Sequence, residues 1–256
     1  MAQTNKKQLM TTTLTTPYIY YNHVEGVSEE AQEHIKKANE HFDKQEIQQA
    51  TEEFKNALEK APESAHIMSN LGAIVAAQGG ANEGVKLLQK ATELDEKNPA
   101  ALYNLGTLFL SYNVTDQAKE YLEKAQEADQ KSAPILNNLG IALLHKSEYD
   151  KARELFNKAT ESNADFDYAY HNLGTTAYDE NKLEEAMEYF HKALEKNPSN
   201  FASLNDLGCA TYLNGNFDEA VTFFKKSIEA NDQYRMPYYN LGYLVYSNNI
   251  DLEQPA

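Results

Sequence analysis

The sequence holds one cysteine, Cys209, so no disulfide can close within the chain, and a reducing compartment is expected. Basic residues are in short supply: 23 Lys and Arg stand against 39 Asp and Glu, a net charge of -16. That balance argues against nucleic acid and anionic membranes as partners, because an acidic chain gains no counterion release from a polyanion. Neutral or basic partners are favoured. Long hydrophobic runs are missing too. No stretch approaches the roughly 20 apolar residues of a membrane span, and the first thirty residues contain no apolar core of an export signal. An unexported, cytoplasmic protein without membrane insertion is expected.

Catalytic and metal-binding patterns are equally scarce. "GGANEGVK" (Gly79 to Lys86) has glycines at phosphate-loop spacing, but Val85 stands where Lys must follow the second Gly. The seven His follow no ligand spacing, although His145 and His171 fall where adjacent segments of the chain can approach. Cys209 has no evident activating base. "NVT" at Asn113 is a formal glycosylation sequon without meaning in an unexported chain. Acidic runs such as "NKLEEAMEYF" read as a solvated face. No cofactor and no enzymatic activity are expected.

What is present is a period. Gly72, Gly106, Gly140, Gly174, Gly208 and Gly242 each follow the last by 34 residues, and Ala38 continues the series backwards. Ala50, Gly84, Ala118, Ala152, Ala186 and Ala220 keep the same phase, as do Phe54, Leu88, Leu122, Phe156, Phe190 and Phe224. A third column runs Ala57, Ala91, Ala125, Ala159, Ala193 and Ser227. Each unit reads as two helices with apolar residues at i, i+3 or i+4, and i+7, as at Leu102, Leu105 and Phe109. Small columns let helix backbones approach, and the bulky column fills the space between them.

The Leu-Gly, Ala, Phe, Ala columns at this spacing resemble the tetratricopeptide repeat, and the resemblance covers residues 31 to about 248. No unit carries the family's first-turn Trp; His34, Met68, Leu102, Leu136, Tyr170, Leu204 and Tyr238 stand there, and the closing Pro survives only at Pro62 and Pro198. The resemblance implies an all-α, right-handed superhelical solenoid of antiparallel helix pairs. Six full repeats start near 31, 65, 99, 133, 167 and 201, and a capping helix covers 236–247. A flexible Thr-rich lead-in over 1–30 and a tail over 249–256 flank them. Within the lead-in, "PYIYY" (Pro17 to Tyr21) has a second reading as an extended segment docked in a groove. In the capping helix, Tyr238, Leu241 and Val245 are expected to pack inward, leaving Tyr239, Tyr243 and Tyr246 on another stripe.

Asn is a mediocre helix former, yet Asn70, Asn104, Asn138, Asn172, Asp206 and Asn240 occupy one column of the first helices. The resemblance implies that this stripe lines a concave surface. An amide offers one donor and one acceptor, matching the N–H and C=O of an extended peptide. The other reading is a tolerated polar residue on a wet surface. Flanking groove candidates are His66, Tyr103, Asn137, Ile141, Leu144, His145, Tyr168, His171, Tyr178, Asp179, Asn205, Tyr212, Tyr239 and Tyr243. Tyrosines supply rigid contact area, so a neutral to basic ligand with apolar or aromatic side chains is expected. The family's clamp for heat-shock C-terminal carboxylates is disfavoured, since Ala100, Pro134, Tyr168 and Ala202 replace its cations. The expected role is a non-enzymatic protein-interaction adaptor. The alternative is a self-assembling scaffold joined through the N-terminal segment or the terminal tyrosines.

Overall fold

The computed structural model describes residues 9, 11–15, 18, 19, 21 and 23–248, so Pro17, Tyr20 and the expected tail over 249–256 lie outside the described residues. Among the described residues there are thirteen helices and no strand. They are α1 (Glu29–Asp43), α2 (Ile47–Lys60), α3 (Ala65–Ala77), α4 (Ala81–Leu94), α5 (Pro99–Ser111), α6 (Thr115–Ala128) and α7 (Ala133–His145), followed by α8 (Tyr149–Ser162), α9 (Asp167–Asp179), α10 (Leu183–Lys196), α11 (Phe201–Leu213), α12 (Phe217–Ala230) and α13 (Met236–Asn248). The chain divides into a first unit, Thr16–Lys146, and a second, Met1–Thr15 with Ser147–Ala256.

In the first unit α1 packs on α2, α3 on α4 and α5 on α6, while α3 also meets α5 and α5 meets α7. In the second unit α9 packs on α10 and α11 on α12, with α9 also against α11 and α11 against α13. Both units are therefore helical repeat arrays in which successive first helices form one continuous face.

The repeat columns explain the helix ends. Ser64 and Asn98, 34 residues apart, accept hydrogen bonds from Ile67 N–H (3.4 Å) and Ala101 N–H (2.9 Å); in the second unit Asn200 does the same for Ser203 N–H (2.9 Å). Side-chain acceptors at these positions satisfy amides that the first turn leaves without partners. The turn inside a repeat uses another column. Gln45, Gly79 and Asn113 adopt φ of 62°, 88° and 57°, and the next amides return to His41, Val75 and Phe109 carbonyls. This left-handed residue with a six-to-one bond closes each first helix.

Packing divides the two helix types. The first helices α3, α5, α7, α9 and α11 bury ten or eleven of their thirteen residues, whereas α2, α4, α6, α8, α10 and α12 bury three or four. These five first helices are enclosed on nearly every side, whereas α1 buries only Ala31, Ile35 and Ala38; second helices keep one solvated face, where pairs such as Lys124–Glu120 and Lys158–Glu154 sit. Phe54, Phe156, Phe190 and Phe224 are fully buried, each contributing about 2 kcal/mol of transfer free energy. The glycine column admits them. A Cβ on Gly174 would stand 2.6 Å from Cδ1 and Cε1 of Phe190, closer than nonbonded carbons approach.

The last helix departs from expectation. Pro237, Asn240 and Leu244 form the buried stripe of α13, with Leu241 partly buried. Tyr238, expected inside, is 47% exposed, and its hydroxyl donates to the Asp232 carbonyl (3.2 Å). Tyr243, a groove candidate on the other stripe, is half-buried edge-on to Tyr212 (6.3 Å, 74°). The physical reason is one-sided packing. A Cβ at Gly242 meets nothing within 4 Å, so α13 buries only the stripe that faces α11 and α12.

Candidate functional site

Within the stretch expected as a lead-in over 1–30, Thr12, Leu14, Ile19 and Tyr21 are hydrogen-bonded through their backbones to first helices. In the first unit Ile19 N–H donates to Asn104 Oδ1 (2.8 Å) and Asn104 Nδ2 donates back to the Ile19 carbonyl (2.7 Å). Asn70 treats Tyr21 identically, at 2.8 and 2.9 Å. In the second unit Asn172 holds both backbone groups of Leu14, at 2.9 and 3.0 Å. One amide thus satisfies one residue's donor and acceptor together, a match that ignores side-chain identity.

Spacing and polarity agree in both units. Two residues of segment, Ile19 to Tyr21, span the step from Asn104 back to Asn70; Thr12 to Leu14 span that from Asp206 back to Asn172. A two-residue step in an extended chain returns side chains to the same side and advances about 6.6 Å. Within each unit the two gripped residues are therefore two apart.

At Thr12 the column changes chemistry. Asp206 Oδ2 accepts the Thr12 N–H (3.1 Å) and Oδ1 accepts from Asn205 Nδ2 (2.8 Å), so the Thr12 carbonyl takes its donor from elsewhere. His171 Nε2 supplies it at 2.8 Å, with Thr175 Oγ1 at 3.3 Å. A carbonyl only accepts, so Nε2 carries the proton and Nδ1 accepts from Ser203 Oγ (2.9 Å). Burial drives the His171 pKa down to about 4 and the Asp206 pKa up to about 8; the bonds from Thr12 and Asn205 pull Asp206 only partway back.

Side chains of the segment are seated as well. Leu9 is buried among Tyr178, Cys209, Tyr212 and Leu244, and Val24 beside Ile35, Ile67 and Leu71. The Tyr21 ring meets His66 edge-on (4.3 Å, 69°), and its hydroxyl donates to Asn98 Oδ1. Burial first, moderated by that bond, pushes the Tyr21 pKa up to about 12.

The remaining sequence candidates fall in several places. Asn138 donates to Tyr103 Oη (2.9 Å) and Thr107 Oγ1 (3.0 Å), and Tyr103 is fully buried. Asn240 donates to Asn205 Oδ1 (2.9 Å) and Cys209 Sγ (3.3 Å). Tyr178 and Tyr212 are buried, Tyr168 stacks on Phe166 (5.5 Å), and Tyr239 is 47% exposed on α13. All six column residues, Asn70, Asn104, Asn138, Asn172, Asp206 and Asn240, have 0% exposure, so none sits on a wet surface here. Cys209 is buried, and burial raises its pKa, which keeps the thiol protonated. Sequence reading missed Asn98, Thr175, Ser203 and Ser69, whose Oγ accepts from Asn104 Nδ2 (3.1 Å). Asn98 was open to detection through its place in the helix-capping column. Among the described residues no three His, Cys, Asp or Glu side chains gather as metal ligands would, and no helix is long and apolar enough to cross a membrane.

Family models described as "Tetratricopeptide repeat" match residues 35–81, 110–175, 168–200 and 201–231. No curated protein matches the chain. Among solved structures it is similar to PilW, described as a widely conserved type IV pilus biogenesis factor (18% identity, TM-score 0.74, covering 85% of this chain and 99% of that one). It is also similar to pilF of Pseudomonas aeruginosa (18%, 0.69, covering 85% and 98%). A third is YrrB, described as a TPR protein with an unusual peptide-binding site (22%, 0.52, covering 73% and 96%). At these identities the likeness establishes the fold.

Proposed function

Because the chain belongs to the tetratricopeptide repeat family, a fold of protein–protein interaction, we propose that it is a non-enzymatic adaptor whose first-helix faces hold extended peptides by their backbones. The observation that carries this reading is the two-way amide bond of Asn70, Asn104 and Asn172 to Tyr21, Ile19 and Leu14. The N-terminal segment is then a resident ligand that a partner must displace. Each bond contributes roughly 0.5 to 1.5 kcal/mol net, so a few of them hold a peptide reversibly. Neutral to basic partners with apolar or aromatic side chains suit faces without Lys or Arg on the column. A cytoplasmic location accords with the lone, buried thiol of Cys209.

The test uses the full chain with Thr12→Pro and Ile19→Pro, which removes two of the N–H donors and loosens the resident segment. A fluorescent peptide copying residues 9–24, LMTTTLTTPYIYYNHV, should bind this host in trans. Adding Asn70→Ala, Asn104→Ala and Asn172→Ala, with helicity unchanged by circular dichroism, should abolish binding. Equal binding to both hosts defeats the reading.

A second reading rests on the same bonds formed between copies, with the exposed Tyr239 and Tyr246 as further contact surface. It requires a mass that rises with concentration and falls back to the monomer in the Thr12→Pro, Ile19→Pro chain.

A further inference from the structure

On the peptide-binding reading, from which this inference starts, the first unit selects a side chain as well as gripping a backbone. Asn98, 2% exposed, is locked in orientation: its Oδ1 caps α5 by accepting from Ala101 N–H (2.9 Å), and its Nδ2 faces His66 Nε2 (3.4 Å). It therefore presents an acceptor, and only an acceptor, to the ring that lies against His66. The Tyr21 hydroxyl meets that acceptor as a donor at the start of α5. A hydrogen-bond donor at the far end of an aromatic ring satisfies the pocket, and a neutral phenol supplies it. Asp95 lies close enough to disfavour negative charge on the phenol.

We propose that the pocket formed by His66, Asn98 and the start of α5 is a tyrosine-selecting subsite, and that partners of the first unit are extended peptides placing an unmodified tyrosine where Asn70 grips the backbone. Phenylalanine fills the ring space but has no donor for the Asn98 Oδ1 acceptor. Phosphotyrosine cannot donate to Asn98 and brings negative charge beside Asp95. The backbone ladder alone makes no such distinction, since it bonds only atoms common to all residues.

Two measurements decide this. In the Thr12→Pro, Ile19→Pro full chain, the labelled 9–24 peptide is compared with its Tyr21→Phe and phosphotyrosine-21 forms. The Phe form should bind about fivefold more weakly and the phospho form more weakly still. In the otherwise unmodified full chain, Tyr21→Phe should speed hydrogen exchange at the Ile19 and Tyr21 amides by a similar factor. If all three peptides bind alike, or exchange is unchanged, the subsite is refuted and the ladder stands. If no peptide binds while Tyr21→Phe still speeds exchange, the subsite holds for the resident segment and the binding of partners in trans is what fails.

Discussion

Asp206 and His171 share a task that one asparagine performs elsewhere in the column: Oδ2 of the first accepts the Thr12 N–H at 3.1 Å, and Nε2 of the second donates to the Thr12 carbonyl at 2.8 Å. The two side chains are themselves 3.6 Å apart, and neither is exposed. Asp206 makes no bond to the Thr12 carbonyl, and His171 on another first helix supplies it.

This pair makes stability depend on pH in a defined window. Asp206, raised from 3.8 to about 8, contributes stability that is fully present below pH 3.8 and is lost as pH rises through 8. His171, lowered from 6.5 to about 4, contributes stability present above 6.5 and lost as pH falls through 4. Between about pH 4 and 6.5 the slopes cancel, because folding only moves a proton from imidazole to carboxylate. From 6.5 to 8 the folded pair holds one extra proton, so stability falls by about 1.4 kcal/mol per pH unit. Urea titrations at pH 5, 6.5 and 8 should show that loss only in the last interval, and Asp206→Asn should remove it.

Asn104→Ala deletes both bonds to Ile19 and leaves the helix a better former. Exchange of the Ile19 amide should accelerate roughly ten- to a hundredfold, from the loss of about 1 to 3 kcal/mol. Global helicity should not change. Unaltered exchange at Ile19 would count against a working ladder.

Gly174→Ala places a methyl 2.6 Å from the Phe190 ring. Overpacking should cost about 1 to 3 kcal/mol in denaturant unfolding. Phe190→Leu in the same chain should recover part of it, a coupling that a double-mutant cycle measures.

Gln45 sits at φ 62°, in a column where Gly79 and Gly215 also stand. Gln45→Gly relieves the left-handed strain of a residue bearing a Cβ and should stabilise the chain by about 1 kcal/mol. A lower thermal midpoint in Gln45→Gly would contradict this.

The column arithmetic carried much of the fold. The small column of Gly174 and the bulky column of Phe190 stand sixteen residues apart in every repeat because half a helix, a turn and half a helix separate facing positions, and local periodicity encodes that directly. The last helix was harder. Tyr238, expected inside, lies exposed because burial on α13 depends on which neighbours are present, and its own pattern of tyrosines does not say.

By itself, then, the sequence determined a helical repeat array and one polar column through its first helices, since both follow from residues recurring at a fixed interval. Only the tertiary structure decided what meets that column. The segment from Leu9 to Tyr21 has no period, and its bonds to Asn70, Asn104, Asn172 and Asp206 span 49 to 194 residues. They use backbone groups that every residue carries, so no side-chain pattern announces them. The handover from Asp206 to His171 was likewise a matter of proximity between helices: a donor missing at one position was supplied from another 35 residues earlier, which spacing alone does not reveal.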